Sequence, residues 1–217
     1  MPLKRNSGPA AFIKSLVKHA SFKKSKELCF EHDYSFRKIV NLPSSNNNKE
    51  EYSSFSTEIE DAVSQTVLIK KLNDYIERDL VGEEDLCLKS YFQGVDLPPI
   101  SLQDYLLRLV CNINQLSKTK SSEESSGVRC AIMALIYLER ISKKITPRSI
   151  HRYLMTALLI ALKVSEDFAI SNQFWGDVGG CRLHEVNQME QAFCNLLDWK
   201  LHITSEEYKV KKGMFTL

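Results

Sequence analysis

The sequence contains no CxxC pair, no HExxH, no GxSxG, no GxGxxG and no phosphate-cradling P-loop. Those absences remove the short motifs that hold a structural zinc, a catalytic zinc, an acyl-transfer serine or a nucleotide phosphate. The six cysteines, at 29, 87, 111, 130, 181 and 194, are scattered, and no long apolar leader precedes them. They read as reduced thiols of an intracellular protein of the cytoplasm or nucleus. No apolar run reaches the roughly 20 residues of a membrane span. The longest, Leu154 to Val164, is interrupted by Thr156 and Lys163. A net charge of only +2 over 217 residues is far from the basic balance of a nucleic-acid binder.

What is present suits a globular core: 43% of residues are hydrophobic and 26% charged, in a length that fits one domain with extensions. Acidic residues are missing from the first 26 positions, where Lys4, Arg5, Lys14, Lys18, Lys23, Lys24 and Lys26 all precede Glu27. Phe12, Ile13, Leu16, Val17 and Ala20 share one helical stripe there. A mitochondrial presequence would prefer arginine, and a membrane-surface helix would need a larger apolar face. A tail helix that docks on the domain or stays loose is the third reading. The polar stretch Pro43-Ser-Ser-Asn-Asn-Asn-Lys-Glu-Glu51 is a linker by composition.

Helical spacing then takes over. Ile59, Val63, Val67, Leu72, Tyr75 and Ile76 predict a helix from Thr57 to about Leu80, with Thr57 and Glu60 as a capping box. Residues 81–97 read as a loop. Ser101 and Asp104 cap a helix whose stripe is Leu102, Tyr105, Leu106, Leu109, Val110, Ile113 and Leu116. After a Ser/Glu-rich loop, 117–127, comes Val128 to Ser142, apolar on nearly all sides. Thr146 as cap and Pro147 as first residue open the next helix, apolar almost all round from Ile150 to Val164. A helix without a polar face must be enclosed by others, so this one is expected to be the most buried. Ser171–Val178 reads as a short helix ended by Gly179-Gly180, and a last helix runs from about Leu183 to Leu197. Strand alternation and internal repeats are lacking.

Candidate chemistry is sparse. The five histidines do not pair at metal spacing, and Cys181 with His184 is half a zinc site without its second half. His151 beside Arg152 at a helix start suits packing or capping better than base catalysis. Lys163 ends the apolar run Ala157-Leu-Leu-Ile-Ala-Leu162, and Glu190 lies next to Met189 and one turn before Phe193. Either both are solvated charges, Lys163 snorkelling to water, or they meet at the edge of the core. If they meet, they keep hydrogen-bonding capacity for a partner's backbone.

These segments together resemble a known family. Met133-Ala-Leu-Ile-Tyr-Leu-Glu-Arg140 resembles the second helix of a cyclin box, and His151-Arg-Tyr-Leu-Met-Thr-Ala-Leu-Leu-Ile-Ala-Leu-Lys163 the third. Asn172-Gln-Phe-Trp-Gly-Asp-Val-Gly-Gly180 and Glu185-Val-Asn-Gln-Met-Glu190 resemble the fourth and fifth. The ordered set, from about Leu97 to Thr204, is similar to the fungal phosphate-signalling cyclins and the plant U-type (P-type) cyclins. Residues 1–56 carry no such resemblance.

The resemblance implies an all-α fold: a single five-helix cyclin box over 98–204, an N-terminal helix and loop (57–97) packed across it, and a tail at 205–217. It implies a regulatory subunit, not an enzyme, that binds and activates a cyclin-dependent protein kinase. Lys163 and Glu190 would be the kinase-contacting pair, with Val164, Trp199 and Leu201 as apolar contacts. No metal, cofactor, small-molecule substrate, membrane or nucleic acid is expected. The alternative is a cyclin-fold adaptor in transcription, which would show a basic stripe on the box, where residues 98–204 mix both signs. The chain departs from the family pattern at Glu139, an aspartate in many cyclins, because the arginine that pairs with it would fall near Pro99. The stretch after the fifth helix is too short for a second box.

Overall fold

Turn chemistry and apolar periodicity set the elements. The computed structural model describes residues 63–83, 90–94, 96–116, 124–141, 145–167 and 170–216. Expectations for residues 1–62, including the basic stripe, the linker and the Thr57–Glu60 box, lie outside the described residues. Helix α1 (63–75) passes into a π-helical turn, Ile76–Leu80. Then follow α2 (Leu102–Leu116), α3 (Ser126–Ile141), α4 (Ile150–Ser165), α5 (Asn172–Gly179), α6 (Leu183–Leu196) and α7 (Ser205–Thr216). No strand occurs among the described residues.

Helix α2 buries its stripe, Leu102, Tyr105, Leu106, Leu109, Val110 and Ile113. Its first turn is held by the Ser101 hydroxyl, which accepts from the Asp104 N–H (3.1 Å) and donates to the Asp104 carboxylate (2.7 Å). Helix α4 is the hub: it packs on α2, α3, α5 and α6. Yet α3 is the more enclosed helix, buried at all but Arg129, Glu139 and Arg140. It is covered by α2, α4 and α7 and by the π turn of α1, whereas α4 surfaces at both ends. The start of α4 also differs from expectation. Thr146 and Ser149 close a tight turn, Ser149 Oγ accepting the Thr146 N–H at 2.8 Å, and the α-helix proper begins at Ile150. In α1 the inward residues are Leu68, Ile69, Leu72 and Ile76, while Val63 and Val67 are half exposed. The apolar spacing there was compatible with two stripes, and packing on α3 selects one.

The stretch 205–217, read as a tail, contains α7, which straps α1 to α3. Phe215 is buried edge-on to Tyr75, with ring centroids 5.6 Å apart, and the Lys71 ammonium donates to the Phe215 carbonyl (3.1 Å). Lys211 Nζ lies 2.7 Å from the Glu139 carboxylate, which also accepts from the Tyr75 hydroxyl at 2.7 Å. The hydrogen bond to Glu139, with burial second, raises the Tyr75 phenol to about 12. Glu139, deprived of an arginine near position 99, has thus taken a lysine and a tyrosine as partners.

The Gly179-Gly180 pair has two separate causes. Gly180 caps α5 at φ 72°, in the left-handed region. Gly179 lies against α4: a Cβ there would sit 2.1 Å from Met155 Sδ and 3.2 Å from the Tyr105 hydroxyl. Met155 is fully buried, so its thioether withdraws only by displacing packed neighbours. Gly179→Ala is therefore expected to destabilise the domain by about 1–3 kcal/mol through overpacking. A thermal melt checks this; an unchanged midpoint would contradict the close approach.

Candidate protein-docking site

Lys163 stands where α4 runs out of cover. Every residue from Tyr153 to Leu162 is buried, and the chain then emerges at Lys163 and Val164. Across from it, Met189 anchors α6 in the core and turns Glu190 to the rim. The two meet: Lys163 Nζ is 2.6 Å from Glu190 Oε1, and their side chains keep 36% and 24% of their surface in solvent. The first residue of α5 closes the group. Asn172 Oδ1 accepts from the Lys163 ammonium (2.9 Å), and Asn172 Nδ2 donates to Glu190 Oε2 (2.6 Å) and to Asn187 Oδ1 (2.8 Å). Below lies Cys194, one turn after Glu190. Its buried thiol is pushed up first by burial and then by the Glu190 charge, with Lys163 opposing.

Hydrogen-bond capacity is left over. An ammonium carries three N–H groups and a carboxylate about four acceptor sites. Lys163 uses two donors within the group, and each Glu190 oxygen accepts once. Among the described residues, one donor and the outer carboxylate lone pairs take no partner, which leaves them for groups arriving from outside.

Beyond the C-terminus of α6, about 9 Å along its axis from Glu190, the chain makes a strained exit. Asp198 and Trp199 both have positive φ, 50° and 57°, and neither is glycine. Asp198 N–H donates to the Asn195 carbonyl (3.1 Å) and Trp199 N–H to the Cys194 carbonyl (2.9 Å), the two hydrogen bonds of a Schellman ending. Each left-handed residue costs roughly 1–3 kcal/mol unless its surroundings hold it. Here α3 does so. Tyr137 donates to the Leu201 carbonyl (2.7 Å), and Arg140 reaches the carbonyls of Lys200 (2.6 Å) and His202 (3.2 Å) and the Glu207 carboxylate (3.0 Å). The outcome is Trp199 at 63% exposure, its indole N–H fixed on Asn195 Oδ1 (3.1 Å), with Leu201 half-buried beside it. Val164, 46% exposed, adjoins Lys163. The fold thus joins Lys163 to Glu190 directly and leaves Trp199 and Leu201 apart from that pair, at the end of the same helix.

His151 and Arg152 are structural. His151 Nε2 meets the Ile100 carbonyl at 3.0 Å, its ring lies 5.1 Å from that of Tyr105, and burial holds its pKa below the ordinary range. Arg152 bonds the Tyr91 carbonyl (3.2 Å) and the Glu185 carboxylate (2.9 Å). Glu185 in turn accepts the Arg182 N–H at the start of α6, which, ahead of Arg152, lowers its pKa. Among the described residues no three His, Cys, Asp or Glu side chains gather as a metal site. Cys130, Cys181 and Cys194 are free thiols. No described helix is long and apolar enough to cross a membrane. The sequence missed Asn172 and Asn187 as site members; their presence inside the quoted motifs was the available signal.

The matching family model is Cyclin, over residues 17–201, most of the chain, and the protein belongs to the cyclin family. That match starts well before the stretch that carries the motifs and reaches into the N-terminal extension. The chain is similar to Cyclin-U4-3 of Arabidopsis thaliana, 31% identical over 53% of this chain and 50% of that one. It is also similar to Cyclin-U2-1 of the same plant, 27% identical over 66% of this chain and 65% of that one. Cyclin-P3-1 of Oryza sativa subsp. japonica is 30% identical over 62% of this chain and 57% of its own. The chain therefore spans between half and two thirds of the length of these relatives.

Proposed function

We propose that this cyclin is an intracellular, non-catalytic regulatory subunit that binds a cyclin-dependent protein kinase and switches it on, with Lys163, Glu190, Val164, Trp199 and Leu201 as the contact residues. The observation that carries the reading is the Lys163–Glu190 pair, closed on itself yet, among the described residues, holding one spare donor and spare acceptor sites at the rim. An ion pair this exposed contributes about 0–1 kcal/mol to a fold. Its geometry suits presentation to a partner better than stability.

The mechanism follows from kinase chemistry. Phosphoryl transfer needs the C-helix glutamate paired with the third-strand lysine and an open activation segment. A subunit that binds this arrangement better than the idle one moves the population toward it. Shifting a kinase from 1:99 to 99:1 takes about 5.5 kcal/mol of differential affinity. Only contacts that the active arrangement makes and the idle one lacks count toward that difference. The rigid turn at Asp198-Trp199 matters here, because a side chain ordered beforehand loses less entropy on docking.

Recovering the full chain from its own cells and identifying the bound proteins by mass spectrometry tests the reading. A cyclin-dependent kinase is expected in stoichiometric amount; a transcription complex without a kinase would favour the adaptor. With that kinase in hand, Trp199→Ala should weaken binding by about 2 kcal/mol or more while the melting temperature holds, since the indole is mostly in solvent. Affinity unchanged by Trp199→Ala would remove this residue from the interface.

A further inference from the structure

We infer that Asn172 is a positioning residue for kinase binding, holding Lys163 and Glu190 in the one arrangement that leaves their free donor and lone pairs turned outward. The inference rests on the kinase-binding reading above and adds a residue to its site. Asn172 contacts both members at once: its Oδ1 accepts a hydrogen bond from the Lys163 ammonium (2.9 Å) and its Nδ2 donates to Glu190 Oε2 (2.6 Å). Without it, the pair would be joined by the single contact from Nζ to Oε1, 2.6 Å. A lysine on a flexible four-carbon stem and a glutamate joined at one point can rotate about that point. Two further bonds from one planar amide remove the freedom.

The orientation of that amide is itself determined. Turned over, its NH₂ would face the Lys163 ammonium and its oxygen the Glu190 carboxylate, donor against donor and acceptor against acceptor. The second Nδ2 hydrogen is taken by Asn187 Oδ1 (2.8 Å) from the neighbouring turn of α6, which opposes the flip again. The backbone beneath is equally fixed. Ser171 Oγ accepts the Phe174 N–H, Trp175 is buried, and Tyr105 donates to the Gly179 carbonyl at 3.0 Å. Helix α5 therefore works as a platform whose first side chain sets the docking pair, with Asn187 setting that side chain.

Two substitutions separate this role from a plain contribution to folding. Asn172→Ala deletes all three amide contacts. Asn172→Asp keeps an acceptor for Lys163 but places a second carboxylate against Glu190. At the first residue of a helix an acid is favourable to the helix, which offsets its repulsion from Glu190, so Asn172→Asp should leave the melting temperature about unchanged. Affinity for the kinase recovered with the full chain is measured by titration calorimetry for both variants, for Lys163→Ala and Glu190→Ala, and for Asn172→Ala combined with Glu190→Ala. Asn172→Ala is expected to lose about 10- to 100-fold in affinity, the scale of hydrogen bonds to charged groups. Asn172→Asp should lose at least as much with no loss of melting temperature. The combined variant should bind little worse than Glu190→Ala alone, since the amide then has nothing to position. If both Asn172 variants bind normally while Lys163→Ala and Glu190→Ala bind poorly, the inference falls and the kinase-binding reading stands. If all four single variants bind normally, Lys163 and Glu190 drop out of the proposed interface and the inference falls with them. A loss in Asn172→Asp matched by an equal loss of thermal stability would make the residue structural and overturn the positioning role.

Discussion

Lys163→Ala and Glu190→Ala are each expected to weaken kinase binding by about 2–5 kcal/mol, because a docked kinase would leave the surviving charge desolvated and alone. Stability should barely change, since free in solution the pair is worth about 0–1 kcal/mol. The double variant should cost less than the two single losses added, as each residue acts through the other at 2.6 Å. Affinities by calorimetry, with melting temperatures in parallel, check both statements. Were the two residues only solvated surface charges, each alanine would move affinity by no more than about 0.5 kcal/mol. That result would mean the family's contact pair does not act in this chain.

Trp175→Ala should have the largest effect on the fold itself. The indole is buried to 1% exposure in the domain's common apolar core, and Trp175 and Gly176 are the buried residues of the eight-residue α5. Truncating a buried aromatic costs about 3–5 kcal/mol. Domains of this size commonly hold about 5–15 kcal/mol in all. Chemical denaturation should show the midpoint displaced accordingly, and kinase binding should fall with it, because α5 carries Asn172 to the Lys163–Glu190 pair. A loss under about 1 kcal/mol would mean that α5 is not anchored through Trp175, and the platform assigned to it would lack its base.

How much of this the sequence could carry differed by element. Helices α2, α4 and α6 were legible because their apolar residues fall on one stripe or cover all sides, and burial follows that pattern directly. Lys163 was legible because a charge closing such a run must go somewhere. Its meeting with Glu190 was one of two open readings until α5 and α6 were placed. Asn172 was not legible: an asparagine at a helix start is ordinary turn chemistry, and only its bonds to residues 163, 187 and 190 give it a role. Helix α7 was missed for a related reason. Its inward residues, Tyr208, Lys211 and Phe215, include a charge, while Val210 and Met214 face solvent. Its docking depends on Tyr75, Glu124 and Glu139, all far away in the chain. The strained turn at Asp198-Trp199 was equally hidden: aspartate is enriched at positive φ without requiring it, and tryptophan seldom adopts it.

The most direct test of the central claim is phosphoryl transfer by the recovered kinase, assayed alone, with saturating wild-type chain, and with the Lys163→Ala, Glu190→Ala double variant. The account predicts low activity alone, a large rise with the wild-type chain, and little rise with the double variant at the same concentration. A kinase that binds the wild-type chain at saturation and transfers phosphate no faster than it does alone would contradict it.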